Sequence, residues 1–186
     1  MGHTLVTRFD PQSRKRLSDL MAPFAANKIP YGRKCDREAA NRVLDYHVTV
    51  LHWAKTMDAY YLERLRELSP APCLLSVTRT CVMSAEEGSW LLYFQVEPGE
   101  GFADMVHDLE NKTGIGIYLN PHITLAVSRD RDEIDRIRRQ LDSTLSFPLQ
   151  LRAEGLDLYH IWVPTQKVKS YGAVSEKPRD LRLTDG

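Results

Sequence analysis

Cysteine is scarce in this chain of 186 residues. There are three, Cys35, Cys73 and Cys81, an odd number with no CxxC pair. Free thiols in a reducing cytosol are the expectation, and no His, Cys or carboxylate spacing suggests zinc. Long apolar runs are missing too. No window approaches the roughly 18 apolar residues of a membrane span. Residues 1–10 lack the basic-then-apolar layout of an export signal, and Val6 stands where a myristoylation pattern wants Ser or Thr. A cytoplasmic protein is therefore expected. Glycine is absent where nucleotide-binding loops need it. Gly114-Ile115-Gly116 has no third glycine, since position 119 is Leu, and there is no Walker sequence. A surplus of one charge is lacking as well: Lys plus Arg is 25 and Asp plus Glu is 25. This excludes a uniformly basic nucleic-acid coat or a polyanionic tail, but balance over a chain says nothing about balance in a cleft.

What is present is the mixture of an ordinary globular domain, 42% hydrophobic and 27% charged. The charge is unevenly placed. Residues 1–55 carry ten basic and five acidic side chains, residues 56–113 four and ten, residues 114–186 eleven and ten. A single domain over residues 1–173 is expected, with a polar tail at 174–186.

Residues 3–9 read as a strand. Asp10-Pro11 starts a helix, an oxygen cap followed by proline, with Leu17, Leu20, Met21 and Phe24 on one stripe. Residues 26–37 read as a basic loop, and a short helix is predicted from Glu38 to Val43. A strand at 45–51 precedes a helix over about 55–68, which Ser69-Pro70 ends. Residues 73–84 and 89–97 read as a hairpin. Phe102, Met105, Val106 and Leu109 mark a helix. Residues 115–119 and 122–127 read as extended. Ile134, Ile137, Leu141 and Leu145 mark a last helix, capped by Ser128 or Asp130. Strands are predicted near 147–153, 156–163 and 167–171. The order strand, helix, strand, strand occurs twice, from about residue 45 and about residue 121. Mixed elements with hairpins predict an α+β class.

Each repeated unit begins with the same pattern. One is Tyr46-His47-Val48-Thr49-Val50-Leu51, the other Pro121-His122-Ile123-Thr124-Leu125-Ala126. In a strand, residues i and i+2 share a face. His47 with Thr49, and His122 with Thr124, are thus expected to look one way while the apolar neighbours look the other. Two hits among six histidines are not rare alone; their placement at the start of matching units is what counts. Imidazoles titrate near neutral pH, so one can act as base while the other acts as acid. Threonine hydroxyls and protonated imidazole suit the nonbridging oxygens of a phosphate. The pair suits in-line displacement at phosphorus with no metal. For a single histidine, satisfying a hydrogen bond on a half-buried strand would be the better account. His52, five residues from His47, is expected on the opposite face.

These motifs resemble those of the two-histidine (2H) phosphoesterases, the group of 2′-5′ RNA ligase-like proteins and RNA 2′,3′-cyclic phosphodiesterases. Residues 121–126 are similar to the second motif of that family almost verbatim, and residues 47–49 to the first. The resemblance spans most of the chain, from the strand at 3–9 to that at 156–163. It implies a bilobal, pseudo-twofold α+β fold, two antiparallel sheets around a central cleft with helices outside. It implies His47 and His122 as the acid/base pair, Thr49 and Thr124 as phosphate ligands, and no cofactor. The substrate would be an RNA end, an oligonucleotide or a cyclic nucleotide, with no membrane and no obligate protein partner. Many members carry Arg after the second motif where this chain has Val127; Arg129 follows two residues on. Tyr31, Arg33 and Lys34 in the basic loop are candidates to stack on a base and attract phosphate. Two alternatives stand beside the phosphodiesterase: a hydrolase of cyclic oligonucleotide signals, and a binding module that uses the same cleft without turnover.

Overall fold

In a computed structural model, the structure describes residues 2–27, 46–53, 57–85, 88–117, 120–161 and 166–172. The predicted basic loop with Tyr31, Arg33 and Lys34, the helix at 38–43, Cys35 and the tail at 174–186 lie outside the described residues.

Among the described residues are seven strands and four α-helices. The strands are β1 (Gly2–Phe9), β2 (Thr49–Trp53), β3 (Cys73–Ser84), β4 (Trp90–Pro98), β5 (His122–Ser128), β6 (Leu149–Ile161) and β7 (Gln166–Gly172). The helices are α1 (Pro11–Met21), α2 (Ala59–Arg66), α3 (Glu100–Thr113) and α4 (Arg131–Thr144), with a 3-10 turn at Ala22–Asn27. Local chemistry sets their ends. Asp10 caps α1 by accepting the Ser13 N–H at 2.7 Å, with proline at the first turn. Asp58 caps α2 in the same way through Tyr61. Gly114 ends α3 in the left-handed region, φ 70°, where a side chain would be strained. Asp130 is the cap of α4, accepting from Asp132 and Glu133. Ser128 instead accepts the Asp130 N–H and donates to Glu133.

All strand pairs are antiparallel, in the order β2-β1-β6-β3-β4-β5, with β7 also on β6. β6 joins two four-stranded halves into one sheet. Its residues 153–161 pair with β1 and its residues 155–160 with β7, while residues 149–153 pair with β3. The hairpin β3-β4 receives the strand that opens the second repeated unit, β5. The hairpin β6-β7, reached through β1, receives the strand that opens the first, β2. Each unit thus lends its first strand to the other's half.

One strand, β6, replaces the two predicted near 147–153 and 156–163. Buried Leu149, Leu151 and Ala153 alternate, then Leu156 and Leu158 resume one residue out of phase. That slip suggests a break, but it is a bulge at Glu154 that keeps the ladder intact. The bulge is clamped by Arg8, whose guanidinium donates to Asp157 at 2.8 Å and to the Tyr171 carbonyl at 3.2 Å and lies 3.4 Å from Glu154. Gly155 permits this approach: a Cβ there would run into the Tyr171 carbonyl oxygen and stand 2.6 Å from the Arg8 guanidinium.

The helices cover one face of the sheet. Leu5, Phe9, Phe94, Val96, Ile123, Leu125, Leu156 and Leu158 project from the strands into a single core. Leu17 and Met21 of α1, Leu65 of α2, Phe102 and Leu109 of α3, and Ile134, Ile137 and Leu141 of α4 meet them. By alternation, the residues between these on each strand look out from the opposite face, which is helix-free among the described residues.

Candidate active site

The first motif is held by β1. The Thr7 N–H donates to the Val48 carbonyl at 2.9 Å, and the Thr7 hydroxyl accepts the Val48 N–H at 2.8 Å. Val48 is fully buried, and half-buried His47 and Thr49 flank it. Thr49 opposes Val6, a neighbour of core residue Leu5, so Thr49 lies on the helix-free face. His47 stands just before β2, one alternation back from Thr49.

The second motif opens β5. Ile123 and Leu125 enter the core, and half-buried His122 and Thr124 take the helix-free face. The His122 Nδ1 lies 2.8 Å from the Asn120 carbonyl oxygen. A carbonyl can only accept, so Nδ1 carries the proton, and in the neutral ring Nε2 is left bare. The Pro121 carbonyl accepts the Val96 N–H at 3.1 Å and the Gln95 side-chain amide at 3.4 Å, which fixes the approach of the chain to His122.

Both motif strands are bulged at the residue after the threonine, at Val50 in β2 and at Leu125 in β5. This corrects the expectation for His52. The extra residue resets the alternation, so exposed His52, paired with Thr4, shares the face of Thr49. Val127 holds the matching place in β5 and is buried. Exposed Arg129 lies beyond the end of β5, roughly 20 Å along the strand from His122 by strand rise. The structure does not bring it beside the histidine.

Residues that the motifs did not reveal stand next to the second one. Gln95 opposes His122, and Arg79 of β3 opposes Gln95. Tyr93 opposes Thr124, and Cys81 opposes Tyr93. Tyr93 and Gln95 interrupt an apolar run in the sequence, but only the register ties them to His122. Burial pushes the Tyr93 phenol up, the adjacent Cys81 adds to this, and the Arg79 charge opposes it. The phenol therefore keeps its proton at neutral pH. Among the described residues no group of three or more His, Cys, Asp or Glu is arranged to hold a metal ion. No helix among them is long and apolar enough to cross a membrane.

β2 and β5 are the two ends of the strand order. In a flat sheet, five strand spacings would separate them by about 24 Å. Twist and the bulges in β2, β3, β5 and β6 oppose flatness.

No protein-family model matches the chain, and no curated protein matches it in sequence. Solved structures do match it in fold. The crystal structure of E. coli LigT complexed with ATP superposes with a TM-score of 0.55 at 12% identity, over 92% of this chain and 96% of that one. LigT complexed with 3′-AMP gives 0.55 and 12%, over 91% and 96%. TT0787 of Thermus thermophilus gives 0.56 and 17%, over 92% and 97%. Usb1 of Kluyveromyces marxianus gives 0.51 and 14%, over 92% and 98%. Identities this low speak for a shared fold over nearly the whole length.

Proposed function

On a chain that has the fold of the two-histidine phosphoesterases, we propose that the helix-free face is the active site of a metal-independent phosphodiesterase acting on RNA ends or small nucleotides. The observation that carries this reading is the doubled pattern: His-x-Thr, then a bulge, once at each end of the sheet, with Thr49, His122 and Thr124 on the face opposite the described helices. A half-buried histidine kept for packing alone has no reason to recur with its threonine and its bulge. That LigT was crystallised with ATP and with 3′-AMP supports a nucleotide as the ligand of this fold.

On this reading the ligand phosphate lies on that face between His47 and His122. Thr49 and Thr124 donate their hydroxyls to its nonbridging oxygens. With a 2′,3′-cyclic phosphate, water attacks phosphorus in line with the departing ribose oxygen. One imidazole takes the water proton as the new P–O bond forms. The other gives its proton to the ribose oxygen as the old bond breaks, leaving a phosphomonoester. The two rings have then exchanged protonation states, and proton exchange with solvent resets them. The same pair serves a 2′-5′ linkage.

The test is a panel of 2′,3′-cyclic nucleotides, 2′-5′ oligonucleotides and cyclic dinucleotides, assayed in EDTA with His47→Ala and His122→Ala as controls. Turnover in EDTA that either substitution abolishes supports the reading. Loss of turnover on chelation defeats the metal-free mechanism. Binding without product for every phosphodiester favours the binding module, and turnover confined to cyclic dinucleotides favours the signal hydrolase.

A further inference from the structure

Arg79 is an exposed cation on the helix-free face, two strands in from His122. The direct register His122–Gln95–Arg79 runs across β5, β4 and β3, so the two ends of the row lie about 10 Å apart at Cα. A second link leads to the same place. The charge of Arg79 acts on the Tyr93 phenol, and the Tyr93 ring contacts His122. Glu97 stands in the next row of this face, opposite Ser76, yet no ion pair among the described residues joins it to Arg79. The row is crossed at right angles to the strands, with the neutral donor Gln95 midway. A chain of phosphates laid along it would meet imidazole first and guanidinium next.

We infer that Arg79 holds a second phosphate, one nucleotide from the reacting one, and so makes this site prefer an oligonucleotide to a mononucleotide. The inference rests on the phosphodiesterase reading above. A guanidinium forks onto two phosphate oxygens, and it contributes affinity for the strand without reading its bases. The reacting phosphate itself needs only the two His-x-Thr strands, so a ligand with one phosphate gains nothing from Arg79.

The experiment compares wild type, Arg79→Ala and Arg79→Lys on uridine 2′,3′-cyclic monophosphate and on hexauridylate ending in a 2′,3′-cyclic phosphate. A third substrate is the same hexamer with a neutral methylphosphonate at its last linkage. Arg79→Ala is expected to lower kcat/KM on the charged hexamer about ten-fold or more, to spare the monophosphate, and to spare the methylphosphonate hexamer. Arg79→Lys should recover part of the loss. Equal loss on all three substrates, or no loss on the charged hexamer, overturns the inference while leaving the reaction in place. If wild type turns over none of them, the 2′,3′-cyclic phosphate reading falls, and binding of hexauridylate 3′-phosphate then decides on Arg79. Arg79→Ala should weaken that binding and flatten its salt dependence by about 0.7 of a log unit per log unit of salt. Unchanged binding and slope overturn the inference there too.

Discussion

The Tyr93 ring stands edge-on to the imidazole of His122, with centroids 5.5 Å apart and planes at 72°. The contact fixes one side of a ring whose Nδ1 is already tied to the Asn120 carbonyl. Such aromatic pairs contribute about 0.5–1.5 kcal/mol. Tyr93→Ala should therefore lower kcat several-fold with little change in KM. Tyr93→Phe keeps the ring and should stay close to wild type. If Phe is as damaging as Ala, the hydroxyl rather than the ring is what His122 needs.

The paired histidines set a second expectation. Each single alanine variant should lose about 10²–10⁴-fold in kcat while keeping the circular dichroism and urea midpoint of wild type. The double variant should lose little more than the worse single one, since the two rings act as one unit. The wild-type pH profile should be bell-shaped. A single variant with near-normal turnover refutes the pairing.

Arg8 predicts a loss of stability rather than of chemistry. Its side chain is buried between Glu154 and Asp157, at 11% exposure against their 9% and 6%. Arg8→Ala removes the guanidinium shared by Glu154 and Asp157, which costs about 3–5 kcal/mol. Urea denaturation measures it, and Asp157→Asn in the Arg8→Ala background should restore part of the loss. Gly155→Ala should cost about 2 kcal/mol or more by steric clash at the same place.

Alkaline pH tests the core. Burial pushes the Cys73 thiol up, and it pushes the Tyr171 phenol up against the opposing charge of Arg66. An acid whose folded value is raised is deprotonated first in the unfolded chain. Its contribution is complete below the unfolded values, about 8.5 for a thiol and about 10 for a phenol, and declines as pH rises through the folded ones. The urea midpoint should hold through neutral pH and fall above about pH 9, less steeply in Cys73→Ala. Peptide mapping after thiol labelling at pH 7 should find Cys73 protected until the chain unfolds.

Much of this site can be read from sequence because it is local. Asp10-Pro11, the Ile134-Ile137-Leu141 stripe and the His-x-Thr alternation each encode their geometry within a few residues. What cannot be read is what depends on pairing. Arg79 sits 43 positions before His122 and meets it only through β4. A phase slip in hydrophobic alternation has two physical causes, a strand end or a bulge, and residues 153–156 look the same under either. His52 shows the same ambiguity: counted from His47 it belongs to the core side, but the bulge at Val50 moves it to the other.

The twin bulges give each motif a longer span than its three letters. In a regular strand, position i+5 faces away from positions i and i+2, and the bulge turns it back toward them. Each motif strand therefore has one further position on that face that can change without disturbing the histidine or the threonine. In this chain the two positions are filled unequally, by exposed His52 on one side and by buried Val127 on the other. The two ends of the sheet are alike in backbone and unlike in reach, so a ligand with distinguishable ends meets a site with distinguishable ends. On the proposed reading, two like backbones can thus favour one direction of a bound ligand.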